Sequence, residues 1–98
     1  MTKPLLLQGG DYDIARKSDL WTELGQTEPQ SDVVLDLALT DFIDCSCFGV
    51  LITQLSIWRE HAADTNLRLQ NVAPSTARML GLLELDRLFV IENVRPDG

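Results

Sequence analysis

Apolar and polar residues follow one another along the chain in a pattern that predicts four strands and three helices. The strand candidates are short apolar runs bounded by turn residues: PLLLQ (4–8), VVLDLAL (33–39), NLRLQNV (66–72) and RLFVIENV (87–94). Helical spacing covers residues 14–24, the segment that follows DCSCFG (44–49), and PSTARMLGLLEL (74–85). Strands that alternate with helices in this way predict parallel pairing through right-handed crossovers. The expected fold class is α/β, a mostly parallel four-stranded sheet with helices packed on it.

Turn residues separate these elements, and two segments are expected to be turns only. GGDYD (9–13) contains two glycines and two aspartates, and TDFID (40–44) contains two aspartates, so both are expected to be turns. In the first helix, the apolar residues are spaced for a single face: Ile14, Ala15, Leu20, Trp21 and Leu24.

The longest periodic segment has an apolar face and a second, smaller apolar stripe. At about 100° per residue, one narrow arc collects the residues expected to face the core: Phe48, Leu51, Ile52, Leu55, Trp58 and Ala62. Val50 and Ile57 point to the opposite side, with Gln54 between them along the chain. We expect this stripe, Val50, Gln54 and Ile57, to be exposed and to bind a partner.

Length and charge narrow the possible functions. The 98 residues are enough for one small domain, so a single domain over 1–98 is expected. Fifteen acidic against eight basic residues give a net charge of −7, which disfavours nucleic acid and anionic membranes and favours protein partners. No run approaches the ~20 apolar residues of a membrane span, and the first residues lack the features of a secretory signal. The expected location is the cytoplasm.

The segment DCSCFG allows several kinds of chemistry. A zinc site would need more ligands than Cys45, Cys47 and the single histidine, His61, can supply together. Redox chemistry is open to thiols near a helix start, although packing as small apolar side chains is favoured. A nucleophilic Ser46 would need a base, and His61 lies some ~22 Å away along the helix. The remaining interpretation is a helix cap at Asp44 or Ser46.

The run VVLDLALTDFIDCSCFGVLITQLSIWREH resembles the STAS domain of bacterial anti-sigma factor antagonists, in which a strand and a turn lead to Asp-Ser-Ser-Gly-Leu-Gly at the start of a long helix. Ser46 aligns with the second serine, and the resemblance implies that Ser46 is phosphorylated. GDYDIA resembles the family's Gly-Glu-Leu-Asp turn and puts Asp13 beside that site, together with Asp44, Cys45 and Cys47. NLRLQNVAPSTARMLGLLELDRLFVI resembles the closing strand, helix and strand.

Three positions depart from the family pattern. Cys45 replaces the first serine, Cys47 replaces the glycine, and Glu84 stands where a helix-ending glycine is common. Loss of the glycine removes backbone freedom beside Ser46, which puts recognition by a standard kinase in question.

The function implied by the resemblance is a partner switch. The unphosphorylated domain binds an anti-sigma factor that is also a serine kinase, and phosphorylation of Ser46 ends that binding. The kinase brings ATP and magnesium, so the chain itself is expected to need no cofactor and to catalyse nothing. Two alternatives stay open: an accessory STAS subunit of a bacterial phospholipid-transport ABC system, and a redox-responsive module switched by oxidation of Cys45 or Cys47. The oligomeric state is left open by the sequence.

Overall fold

The computed structural model describes residues 4–27 and 32–96. The strands are β1 (Leu5–Leu6), β2 (Gly10–Tyr12), β3 (Asp32–Asp36), β4 (Thr40–Ile43), β5 (Asn66–Gln70) and β6 (Val90–Ile91). The helices are α1 (Lys17–Gly25), α2 (Cys45–His61) and α3 (Pro74–Leu82), with 3₁₀ turns at Ile14–Arg16 and Leu85–Arg87. The order of strands and helices gives the α/β fold class predicted from the sequence.

Four of the strands form one parallel sheet in the order β1-β3-β5-β6. Leu35 in β3 pairs with Leu5 on one side and with Leu69 on the other, so the apolar positions of the central strands are in register. Each crossover between these strands contains a helix, as parallel neighbours require. The prediction of a mostly parallel four-stranded sheet is confirmed.

The prediction that 9–13 and 40–44 are only turns is wrong. They contain β2 and β4, which pair in parallel as a separate two-stranded sheet. These strands have three and four residues, too few to show a period of two along the sequence. A register shift follows Gly10, whose φ of +90° is open to glycine at little cost.

Helix α2 supplies Trp58, the largest buried side chain among the described residues, and several others of the core. Phe48, Leu51, Leu55 and Trp58 are at most 2% exposed and belong to one buried cluster with side chains of β3 and β5. This confirms the core-facing arc except for Ile52 and Ala62, which are partly exposed. Helix α1 packs against α2 as well, so α2 is covered from more than one direction.

Helix α3 ends without the glycine that is common in the resembling family. Glu84 adopts φ +59°, ψ +22°, the left-handed conformation in which a glycine would carry no Cβ penalty. The departure seen in the sequence therefore places local backbone strain at Glu84.

Candidate functional site at the start of helix α2

Asp44 caps α2 and joins its start to β2. Its Oδ1 accepts a hydrogen bond of 2.6 Å from the backbone N–H of Ser46, and its own N–H donates to the carbonyl of Tyr12 at 2.9 Å. The bond from Ser46 lowers the pKa of Asp44, because it stabilises the carboxylate. The first turn of α2 is therefore fixed both to its cap and to the neighbouring strand.

The two cysteines have opposite environments although one residue separates them. Cys47 is fully buried, and its Sγ lies 3.4 Å from the carbonyl oxygen of Tyr12 and 3.5 Å from that of Asp13, to which the thiol donates. Burial raises the pKa of Cys47, so its protonated, unreactive form is favoured. Cys45 is a free thiol exposed on the first turn. Packing as a small apolar side chain therefore fits Cys47, whereas the side chain of Cys45 is exposed on the surface.

The hydroxyl of Ser46 is not accessible in this conformation. Its Oγ is buried in the observed rotamer, although the residue as a whole is half-buried. The hydrogen bond to Asp44 holds only the backbone N–H of Ser46, so either a change of the side-chain rotamer or opening of the first turn would bring the hydroxyl to solvent. The amino-acid pattern does not predict this burial, since a serine at the start of a helix is ordinarily exposed.

Asp13 comes close to this turn through its backbone. Its carbonyl oxygen accepts the contact from the Cys47 thiol, and its Oδ1 accepts a 3.0 Å hydrogen bond from the backbone N–H of Ala15. The side chain therefore caps the 3₁₀ turn that precedes α1. The structure thus brings Asp13, Asp44 and Cys47 together around Ser46.

The expected exposed stripe on α2 is wrong for two of its three residues. Val50 is 4% exposed and Gln54 is 5% exposed, and only Ile57 is partly open to solvent. The physical reason is α1, which packs against α2 and covers the side that helical periodicity leaves free. Periodicity locates the face of a helix that is most apolar, but it does not show that a second helix covers another face.

A surface groove lies between the start of α1 and the first turns of α2, and sequence reasoning missed it. We call it the α1–α2 groove; its volume is about 620 Å³ and its lining residues are Ile14, Lys17, Ser18, Trp21, Gly49, Val50 and Thr53. Ile14 and Trp21, which the sequence places on one apolar face of the first helix, are 75% and 42% exposed. The polar residues between Ile14 and Leu20 were the signal that the helix is only partly buried.

The described residues contain neither a membrane-spanning helix nor a cluster of metal ligands. Over 4–27 and 32–96, no helix is long and apolar enough to cross a membrane. In the same ranges, no group of three or more His, Cys, Asp or Glu side chains is arranged to hold a metal ion.

No protein-family model matches the chain, and no curated protein matches its sequence. Among solved structures, it is similar to the crystal structure of a candidate anti-sigma factor antagonist from Thermotoga maritima, with a TM-score of 0.70 and 16% sequence identity. The match covers 96% of this chain and 80% of the other. At this identity the likeness concerns the fold. The chain therefore has a STAS-like α/β fold.

Proposed function

We propose that the chain is an anti-sigma factor antagonist that binds an anti-sigma factor serine kinase in the cytoplasm and performs no catalysis itself. The observation that carries the proposal is the similarity in fold to a candidate antagonist over 96% of the chain. It is supported by a serine on the first turn of α2, the position at which the sequence resembles the phosphorylation motif of that family.

The binding surface centres on the first turn of α2. In the unmodified protein this turn presents the exposed Cys45, while Asp44 and the buried Ser46 hydroxyl lie behind it. Phosphorylation would add about −1.5 to −2 charges to the turn. In a protein of net charge −7, with Asp13 and Asp44 already beside the turn, that charge would repel acidic groups of a partner and would be costly to desolvate.

Phosphorylation of Ser46, in this proposal, requires its hydroxyl to become exposed. The acceptor oxygen is buried, so the side chain must change rotamer or the first turn must open before transfer. The kinase supplies ATP and magnesium, and the chain supplies only the acceptor. The expected consequence is slow phosphorylation that begins after the kinase and the chain have bound each other.

The experiment combines binding and phosphorylation with an anti-sigma factor kinase encoded in the same genome. We expect the native chain to bind the kinase without ATP, and mass spectrometry to find phosphate on Ser46 and nowhere else after ATP is added. Ser46→Ala is the control that should keep binding and lose the phosphate. Absence of binding to every kinase of this class would contradict the proposed function.

A second variant tests the buried acceptor separately. Cys45→Ser places a hydroxyl at the exposed position of the same turn, where the side chain already faces solvent. We expect it to be phosphorylated at residue 45 at least tenfold faster than the native chain is at residue 46. If residue 45 is modified in the variant while Ser46 is never modified in the native chain, binding stands and Ser46 is not an acceptor.

The burial of Ser46 Oγ favours one second candidate, the accessory subunit of a phospholipid-transport ABC system. That function needs a protein-binding STAS-like domain but no accessible phosphate acceptor. Co-purification of the chain with an ABC ATPase subunit, together with no binding to a kinase of the anti-sigma class, would decide for this candidate.

A further inference from the structure

The α1–α2 groove has apolar walls that are themselves open to solvent. Ile14 forms part of one wall and is 75% exposed, and Trp21 lies two helical turns further along and is 42% exposed. Val50 also lines the groove and is 4% exposed. Exposed apolar side chains grouped around a concavity, with an aromatic residue among them, are typical of protein-binding surfaces.

A glycine keeps the groove open on the side of α2. Gly49 lies inside the helix, where glycine is less favourable than alanine, and a Cβ added to it would meet no atom within 4 Å. The space over Gly49 is therefore free to receive a side chain from another molecule.

A cation at the edge of the groove has no salt bridge to any acidic group in the described residues. Lys17 forms no salt bridge within residues 4–27 and 32–96. Its neighbour Arg16, by contrast, donates to the carbonyl oxygens of Gly9 and Asp11 and lies 4.0 Å from the centre of the Tyr12 ring. In a strongly acidic protein, an unpaired lysine beside an apolar groove gives a local site for an acidic group.

The shape of the groove favours a protein over a small molecule. A small molecule in a good pocket has most of its surface buried, whereas here the walls stand in solvent and would leave it largely hydrated. A protein surface would cover Ile14 and Trp21 from outside and at the same time insert a side chain between them. The groove also starts from the same first turns of α2 that contain Cys45 and Ser46.

We propose that the α1–α2 groove receives an apolar side chain of the partner protein, and that a carboxylate next to this side chain pairs with Lys17. The inference rests on the proposed function, because the partner is the anti-sigma factor kinase. It adds a second contact, on α1, to the contact at the first turn of α2. A suitable partner segment presents leucine, methionine or phenylalanine beside aspartate or glutamate.

The test measures the Kd between the kinase and variants of the full chain by calorimetry. We expect Ile14→Asp and Trp21→Ala to weaken binding at least tenfold, and Lys17→Glu to weaken it several-fold. The matched controls are Leu82→Asp, because Leu82 on α3 is also 75% exposed, and Arg78→Glu, which reverses an exposed cation on the same helix. Both controls should bind within twofold of the native chain.

A further variant distinguishes loss of the groove from loss of the folded structure. Gly49→Leu fills the groove from the side of α2, into space that no atom occupies, and should also weaken binding at least tenfold while the chain still unfolds cooperatively. If the native chain binds and all groove variants bind like the controls, the groove inference is wrong and the proposed function stands. If the native chain does not bind the kinase, the proposed function itself is wrong.

Discussion

Two flanks of helix α2 differ in how completely they are covered. The closed flank consists of Phe48, Leu51, Leu55 and Trp58, which are at most 2% exposed. The open flank consists of Gly49 and Thr53, which line the α1–α2 groove and are exposed, whereas Val50 beside them is buried under α1. Both flanks belong to the same 17-residue helix and both touch other elements, but only the closed one is fully packed.

The difference in coverage assigns the two flanks different roles: the closed flank contributes to stability, and the open flank contributes to partner binding. Large side chains on the closed flank have exchanged water for protein contacts, which is the main source of folding free energy. On the open flank, Gly49 adds no side chain and Thr53 directs its hydroxyl to the carbonyl of Gly49 at 2.9 Å. Changes on the closed flank should therefore alter stability, and changes on the open flank should alter binding.

The largest expected effect is on the closed flank. Trp58→Ala should lower the free energy of unfolding by about 3–5 kcal/mol, because it removes a large side chain that is 2% exposed. Thr53→Ala on the open flank is the control and should change it by less than about 0.5 kcal/mol. Denaturant unfolding of both variants checks the comparison, and similar losses in the two would show that the flanks do not differ.

Tyr12 tests how firmly α1 is held against the rest of the chain. Its buried hydroxyl donates to the carboxylate of Glu23 on α1, at 3.1 Å to Oε2. Tyr12→Phe should lower the free energy of unfolding by about 1–2 kcal/mol, because a hydrogen bond to a charged group is lost while Glu23 can still be hydrated. An effect near zero would mean that this bond does not hold α1 in place.

The same residue gives a pH dependence with a definite sign. Burial, and after it the Glu23 carboxylate, raises the pKa of Tyr12 to about 12, above the value of about 10 in the unfolded chain. The stabilisation from the protonated hydroxyl is therefore complete below pH ~10 and is lost as the pH rises towards ~12. The difference in stability between the native chain and Tyr12→Phe should stay constant up to about pH 9 and shrink above pH ~10.

The smallest expected effect is an increase in stability on the open flank. Gly49→Ala should raise the free energy of unfolding by about 0.5–1 kcal/mol, because the added Cβ meets nothing and alanine favours the helix. Gly81→Ala in α3 is the matched control, since the nearest atom there is Asp86 Oδ2 at 4.0 Å. A loss of stability in Gly49→Ala alone would show that the groove is filled.

The sequence predicted correctly those helices and strands whose hydrophobic periodicity extends over many residues. Helix α2 has 17 residues, so four of the residues assigned to its core-facing arc proved to be at most 2% exposed. The parallel arrangement of β3 and β5 likewise follows from alternating strands on either side of a helix. Local periodicity is enough to predict the buried residues of a helix or strand when one of its faces packs on one neighbouring element.

Other features depend on contacts that the sequence does not encode locally. The burial of Val50 is produced by α1, and the pairing of β2 with β4 joins two segments about thirty residues apart along the chain. The burial of Ser46 Oγ accompanies the bond between its N–H and Asp44. A resemblance in sequence could align Ser46 with a family motif, but it could not reveal whether the hydroxyl is exposed.

The central claim is that the first turn of α2 and the α1–α2 groove form one continuous binding surface for the anti-sigma factor kinase. Hydrogen–deuterium exchange of the chain, alone and bound to the kinase, tests this claim most directly. We predict that the complex protects backbone amides in residues 13–21 and 45–53 together, while α3 and the end of the sheet at β6 exchange as in the free chain. Protection limited to α3 and β6, with residues 13–21 and 45–53 unchanged, would contradict the account.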